Sequence, residues 1–175
     1  MTEKKDEIII PEIVLEGEEL ARESEKLCRW GAARAGVIVV APLVGSMALM
    51  ANEVYMITRL AKLRGIKLSE SALMALLGGL GGTIIGRTLV TLIPFAPLQL
   101  PVGISVTYGV GKVAEAWLDA GMPDDLSSFK GLFDKARKDA IRQLDSFINM
   151  EEKDTPLGDE SKRFEQEVPK EKTEV

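Results

Sequence analysis

Apolar residues are concentrated in one stretch, residues 71–111, whose 41 positions include a single charged residue, Arg87. Residues 71–93 contain no proline and predict one helix of about 34 Å, enough to cross a hydrocarbon core of about 30 Å. Three prolines then predict a turn, and the last of them, Pro101, is suited to open a second helix that ends near Gly121. The pattern predicts a helical hairpin that is embedded in a membrane or buried in an assembly, and we favour the membrane.

Helical patterns also flank the hairpin, so the fold class predicted for the whole chain is all-α. Residues 18–65 predict a long, partly apolar helix that ends at Gly65, and residues 122–150 predict an amphipathic helix. That second helix can dock on the protein's own bundle, lie on a membrane surface or bind a partner. The hairpin unit occupies residues 66–121, with Ser69 as the cap of its first helix.

The first helix of the hairpin contains glycines four residues apart, at Gly78, Gly82 and Gly86. Residues at this spacing share one helix face, and glycines there let a second helix backbone approach closely. In water each glycine costs about 1 kcal/mol relative to alanine, so a packing role is expected. The role is close packing within the hairpin or self-association into an oligomer.

Arg87 is the one charge inside the apolar stretch. A charge near the middle of a membrane span costs about 2.5–3.5 kcal/mol on insertion scales, so we expect a polar partner or a position near the lipid headgroups. In an antiparallel hairpin Arg87 falls opposite Thr107 and Tyr108, whose hydroxyls are candidate partners. These three residues are the predicted polar group within the membrane.

Two segments are candidates for binding a partner protein. Residues 1–17 form an acidic tail with a short apolar segment that includes Ile9 and Ile10, and an extended segment of this kind can add to a sheet edge. Phe129 and Phe133 lie on the apolar stripe of the amphipathic helix.

Charge is distributed unevenly along the 175 residues. Residues 1–26 carry a net charge of −5 and the predicted disordered tail, residues 151–175, carries −4, which leaves +4 for the segment between them in a chain of total charge −5. Basic residues flank the hairpin on both sides and favour the cytoplasmic face. We therefore expect a cell-membrane protein, in the inner membrane of a two-membrane cell, with both termini in the cytoplasm.

The composition excludes several kinds of chemistry. The chain has no histidine and one cysteine, Cys28, so disulfides, the usual zinc sites and Ser-His or Cys-His catalysis are not expected. The sequence GGTIIGRT at residues 81–88 has the spacing of a phosphate-binding loop but lacks the preceding strand that such a loop requires. We expect no enzymatic activity, no cofactor, no metal and no nucleic-acid partner.

Part of the chain resembles a known family. LAKLRGIKLSE at residues 60–70, ALLGGLGGTIIGR at 75–87, LIP at 92–94 and TYGVGKVAEAW at 107–117 are similar to the YcjF-type GTPase-associated membrane domain, which also occurs behind some Era-like and dynamin-like GTPases. This chain departs from the family in its proline-rich turn, PFAPLQLPVG, and in lacking a GTPase domain. The resemblance implies an all-helical, membrane-associated module that works beside a separately encoded GTPase, and it implies no catalytic residue.

The sequence thus predicts a non-enzymatic membrane scaffold or anchor that contacts lipid, forms a homo-oligomer through the Gly78, Gly82 and Gly86 face, and recruits a cytoplasmic partner, expected to be a GTPase. One alternative is a small channel or pore-forming protein, in which Arg87 and the glycine face would line the path. The other is a soluble helical subunit that hides its apolar hairpin in a larger complex.

Overall fold

The structure is a computed structural model and describes residues 14–40, 45–85 and 96–154. Within these residues all regular elements are helical, as predicted. The α-helices are α1 (Gly17–Val40), α2 (Gly45–Leu63), α3 (Glu70–Gly79), α4 (Ala96–Asp119), α5 (Lys130–Arg142) and α6 (Leu144–Ile148). A π-helix, Leu80–Ile85, continues α3, and 3₁₀ turns occupy Ser127–Phe129 and Glu151–Asp154.

Helix α4 lies at the centre of the bundle and contacts α1, α2 and α5. Cys28 of α1 lies beside Gly111 of α4, whereas Gly36 lies beside Ile104, so α1 and α4 run antiparallel. At Gly111 an added Cβ would lie 2.7 Å from the Cys28 sulfur, which shows that glycine is required for this close approach.

The stretch predicted as one helix over residues 18–65 forms two helices, α1 and α2, that pack against each other. Asn52 Nδ2 of α2 donates to the Gly31 carbonyl of α1 over 2.8 Å. The interval between the helices contains Pro42 and precedes Gly45, residue types that disfavour a continuous helix. The prediction of a single long helix is therefore wrong.

Several predicted helix ends are confirmed. Ser69 Oγ accepts from the Ala72 N–H over 3.2 Å and caps α3. Gly65 and Gly121 follow α2 and α4 with positive φ angles of 65° and 80°, and this conformation lets the chain reverse after each helix. Pro101 does not open the second hairpin helix, because α4 begins five residues earlier at Ala96 and includes the proline.

The amphipathic stripe predicted over residues 122–150 docks on the protein's own bundle. Residues from it are buried in the core: Leu126, Phe133, Ala136, Ala140 and Phe147. The segment is divided into a 3₁₀ turn, α5 and α6 rather than forming one helix.

The predicted membrane hairpin is only partly covered, because residues 86–95 lie outside the described part of the chain. Its first helix is α3 followed by the π-helix, and not one continuous α-helix from residue 71. Within the described ranges, no helix is both long enough and apolar enough to cross a membrane.

Candidate functional site

One end of the bundle is built from the uncharged parts of three helices. No charged residue occurs between Arg34 and Glu53, so the last turns of α1 and the first turns of α2 are uncharged, as are residues 96–111 of α4. We call these parts together the charge-free end: residues 35–40, 45–52 and 96–111. The antiparallel arrangement brings these segments to one end of the bundle. The sequence pattern of each helix alone does not predict that they become neighbours.

Close helix packing at this end depends on two glycines. A Cβ added to Gly36 would lie 2.8 Å from Ile104 Cγ1, and one added to Gly103 would lie 2.9 Å from both methyl groups of Val39. Helices α1 and α4 are therefore so close at the charge-free end that neither position leaves room for a larger side chain.

Large apolar side chains nevertheless remain exposed at the charge-free end. Val37 is 40% exposed, Val40 48% and Met50 55%. Single exposed apolar residues are ordinary, but these three come from two helices that meet at the same uncharged end. This end is therefore the candidate contact surface of the protein.

The two described members of the predicted glycine face do not pack inside the protein. No described heavy atom comes within 4 Å of a Cβ added to Gly78 or Gly82, and both residues are exposed. Their neighbour Gly79 is different, because an added Cβ there would lie 2.6 Å from Leu126. Gly86 lies outside the described residues. The packing of Gly78 and Gly82 within the hairpin, one of the two roles expected, is thus not seen in the described part of the chain.

The hydroxyls of Thr107 and Tyr108, predicted as partners of Arg87, donate to carboxylates. Thr107 Oγ1 donates to Glu53 Oε1 of α2 over 3.4 Å, and Tyr108 OH donates to Glu25 Oε1 of α1 over 2.7 Å. Arg87 lies outside the described residues. These two carboxylates were not identified from the sequence, because residues 54 and 83 positions apart meet only in the folded bundle.

A polar network along the α1–α4 contact surrounds Tyr108. Lys112 forms ion pairs with Glu25 of α1 and with Glu115 of its own helix. Burial alone lowers the pKa of Lys112, but the hydrogen bond and the negative charge of Glu115 outweigh it, so the pKa is raised. Lys112 is therefore a fixed positive charge that neutralises two carboxylates, a structural role.

Cys28 belongs to the same network and is fully buried. Its thiol donates to Glu115 Oε1 over 3.4 Å. Burial, followed by the negative charge of Glu115, raises the pKa of Cys28 well above its ordinary value. A buried neutral thiol is a poor nucleophile, which disfavours acylation or catalysis at this residue.

Opposite the charge-free end, an ion pair joins the ends of two helices. Arg64, after α2, binds Asp119 at the end of α4 through Nε over 2.6 Å and through a second nitrogen over 3.3 Å. Arg64 also donates to Ser24 Oγ and to the Leu60 carbonyl. We call this the polar end.

The predicted partner-binding aromatic residues lie in or against the core. Phe133 is completely buried and packs against Gly109, so its side chain is not exposed in the described bundle. Phe129 is half-buried against the same core, and Ile9 and Ile10 lie outside the described residues.

A shallow groove of about 260 Å³ lies between α3 and the connection after α4, with Leu76, Trp117 and Leu126 in its wall. Among the described residues, no group of three or more potential metal-ligating side chains is arranged to hold an ion. Comparisons with family models, with curated proteins and with solved structures found no match to this chain.

Proposed function

We propose that this protein is a non-enzymatic helical scaffold that attaches to a membrane through its charge-free end, oligomerises through its glycine face and recruits a cytoplasmic partner. The observation that carries the proposal is the convergence of three uncharged helix segments at one end of the bundle. That end keeps Val37, Val40 and Met50 exposed, whereas the opposite end is closed by an ion pair. The exposed apolar side chains are suited to contact lipid.

Membrane attachment and oligomerisation support each other energetically. Full burial of an aliphatic or methionine side chain is worth about 1.5–3 kcal/mol, and these side chains are already partly buried in the free bundle. Three such contacts give only weak attachment for one copy. Joining copies makes each further insertion intramolecular and raises the overall affinity.

The glycine face is the proposed surface of self-association. Gly78 and Gly82 are exposed and have no described neighbour that explains their small size, and Gly86 continues the same spacing. Small residues at this spacing permit close contact between helix backbones. A neighbouring copy would therefore give these glycines the packing role that the single bundle does not.

The recruited partner is proposed to be a GTPase encoded separately, on the strength of the resemblance to the YcjF-type domain. The test is co-purification of the detergent-extracted protein with a tagged candidate GTPase loaded with GDP or with a non-hydrolysable GTP analogue. Retention that depends on the nucleotide supports recruitment, whereas no retention in either state contradicts it.

A second candidate function is a soluble subunit whose charge-free end is covered by another protein. The same exposed residues favour it, because another protein could cover them as well as lipid could. A covered subunit would leave the membrane fraction in alkaline carbonate, whereas an embedded anchor would require detergent. In the channel alternative, ions would pass along a path lined by Arg87, which lies outside the described residues. That alternative predicts ion leakage from sealed vesicles that contain the protein.

Vesicle flotation tests membrane attachment directly. The full chain is mixed with vesicles of phosphatidylcholine and phosphatidylglycerol and centrifuged, beside the double variant Val37→Glu, Met50→Glu. The matched control is Val14→Glu, because Val14 lies beside Gly65 at the polar end and is 51% exposed, while Met50 is 55% exposed. We expect the wild type and the control to float and the double variant to remain in solution. Equal flotation of all three would contradict the proposal.

Self-association is tested separately by light scattering in detergent. Gly78→Leu places a bulky side chain on the proposed oligomer face, and Gly131→Leu is its control because Gly131 on α5 also has open space around it. We expect the first variant to reduce the oligomer mass and the second to leave it unchanged. The same mass for both variants would contradict the glycine interface.

A further inference from the structure

Glu53 is a carboxylate at the contact between α2 and α4, next to the charge-free end. Its Oε1 accepts a hydrogen bond of 3.4 Å from Thr107 Oγ1. Thr107 itself is completely buried on α4. Glu53 is half-buried, and its carboxylate is held against an interior hydroxyl.

The cations of the surrounding helices are engaged elsewhere. Lys112 of α4 pairs with two other carboxylates, Arg34 of α1 stacks on Trp30, and Arg59 of α2 stacks on Tyr55. Within the described residues, none of these cations lies within ion-pair distance of Glu53. Of the remaining titratable groups near the α1–α4 contact, Cys28 and Tyr108 hydrogen-bond to carboxylates other than Glu53.

Partial withdrawal from water, with no cation beside it, favours the protonated form of a carboxyl group. Burial accordingly raises the pKa of Glu53 to about 7, although the hydrogen bond from Thr107 acts in the opposite direction. The pKa of Glu53 is still raised because the single hydrogen bond from Thr107 replaces only part of the hydration that the carboxylate loses.

We propose that Glu53 is a proton-binding site that latches α2 onto α4, with the carboxyl group neutral while α2 is docked and ionised when α2 separates. Separation would expose the buried faces of α2 and α4 at the charge-free end. The proposal concerns the bundle alone and does not depend on membrane attachment.

The pH dependence follows from the direction of the shift. Because the pKa of Glu53 is raised in the folded protein, its stabilising neutral form is fully present below the ordinary value of 4.5 and is lost as the pH rises to about 7. The opening equilibrium of α2 should therefore increase about tenfold per pH unit in this window, by about 300-fold in all, and level off above it.

Hydrogen–deuterium exchange of the α2 amides tests the latch on the full chain. Exchange is measured between about pH 5 and pH 8 and corrected for the intrinsic rate of each amide. The variants are Glu53→Gln, which stays neutral, and the control Asp134→Asn, which removes an exposed carboxylate of α5. We expect α2 protection to fall with pH in the wild type and the control and to stay constant in Glu53→Gln. The same decline in Glu53→Gln would overturn the proposal.

A direct titration covers the case in which Glu53→Gln does not fold. The carboxyl carbon of Glu53 is followed by NMR in the ¹³C-labelled wild type and in Thr107→Val. We expect a wild-type midpoint near 7 and a higher midpoint in Thr107→Val, because the lost hydrogen bond favours the ionised form. A wild-type midpoint near the ordinary 4.5 would overturn the proposal whatever the variants do.

Discussion

The two ends of the bundle are formed by the same helices but are closed by different interactions. At the polar end, Arg64 binds Asp119 through two hydrogen bonds, and Gly65 and Gly121 reverse the chain after α2 and α4. At the charge-free end the segments of α1, α2 and α4 contribute no charged residue, and apolar side chains such as Met50 remain exposed. Water solvates the charged groups at the polar end, but it does not stabilise the exposed apolar side chains at the charge-free end. This difference is our reason for assigning the charge-free end to an apolar environment.

The largest expected loss in the free energy of unfolding tests whether the charge-free end is tightly packed as well as apolar. In Gly103→Val, the new side chain would collide with Val39 and approach the Ala35 carbonyl, because a Cβ alone would lie 2.9 Å from Val39 and 3.3 Å from that oxygen. Overpacking against backbone leaves little room to relax, so we expect a loss of about 3 kcal/mol in the free energy of unfolding. Urea denaturation measures it, and a loss below about 1 kcal/mol would mean that α1 and α4 are farther apart than described.

An effect of similar size belongs to Glu53, at the border of the charge-free end. Ionisation of the half-buried carboxylate between pH 4.5 and about 7 should lower the free energy of unfolding by about 3 kcal/mol. Glu53→Gln should therefore be more stable than the wild type at pH 8 by about this amount, with little difference at pH 4. Thermal denaturation at the two pH values measures it, and equal stability at both would contradict the assignment.

At the polar end a smaller loss is expected on substitution of Arg64. The Arg64 side chain is 7% exposed, but its partner Asp119 is 58% exposed, so solvent screens part of the attraction. We expect Arg64→Gln to cost about 2 kcal/mol through lost hydrogen bonds and to leave vesicle flotation unchanged. The control is Arg142→Gln, whose ion pair with Asp139 is 76% exposed on the arginine side and should be worth less than about 0.5 kcal/mol. Lost flotation in Arg64→Gln would break the comparison between the ends.

The smallest expected effect is a gain in the free energy of unfolding. It distinguishes an exposed glycine such as Gly78 from a glycine that packs between helices, such as Gly103. Gly78 is helical, exposed and free of described neighbours, so Gly78→Ala should stabilise the bundle by about 0.5–1 kcal/mol. Chemical denaturation in monomeric conditions measures this gain. A loss of stability would show that Gly78 packs inside the protein.

The helical class and several helix ends could be predicted because they depend on local signals. Ser69 precedes Glu70 at a helix start, and Gly65 and Gly121 stand where helices stop. The apolar stripe of residues 122–150 was also predictable from its period, but its docking on the bundle was one of three possibilities, because the pattern does not reveal which surface the stripe contacts. The π-helix after α3 had no recognised signal.

The candidate site was less predictable because it depends on which helices become neighbours. Glu25 meets Tyr108, and Glu53 meets Thr107, across separations of 83 and 54 residues. Once α2 is known to turn back on α1, the uncharged segments 35–40 and 45–52 must lie together. The charge-free end could not be predicted while residues 18–65 were expected to form one continuous helix.

The most direct test of the account measures which end of the bundle contacts lipid. In a Cys28→Ser background, single cysteines replace Val40 at the charge-free end or Val14 beside Gly65 at the polar end, and each carries an environment-sensitive fluorophore. The protein is mixed with vesicles containing brominated lipid, which quenches only fluorophores within the hydrocarbon region. The account predicts quenching at position 40 and none at position 14. Quenching at position 14, or at neither position, would contradict it.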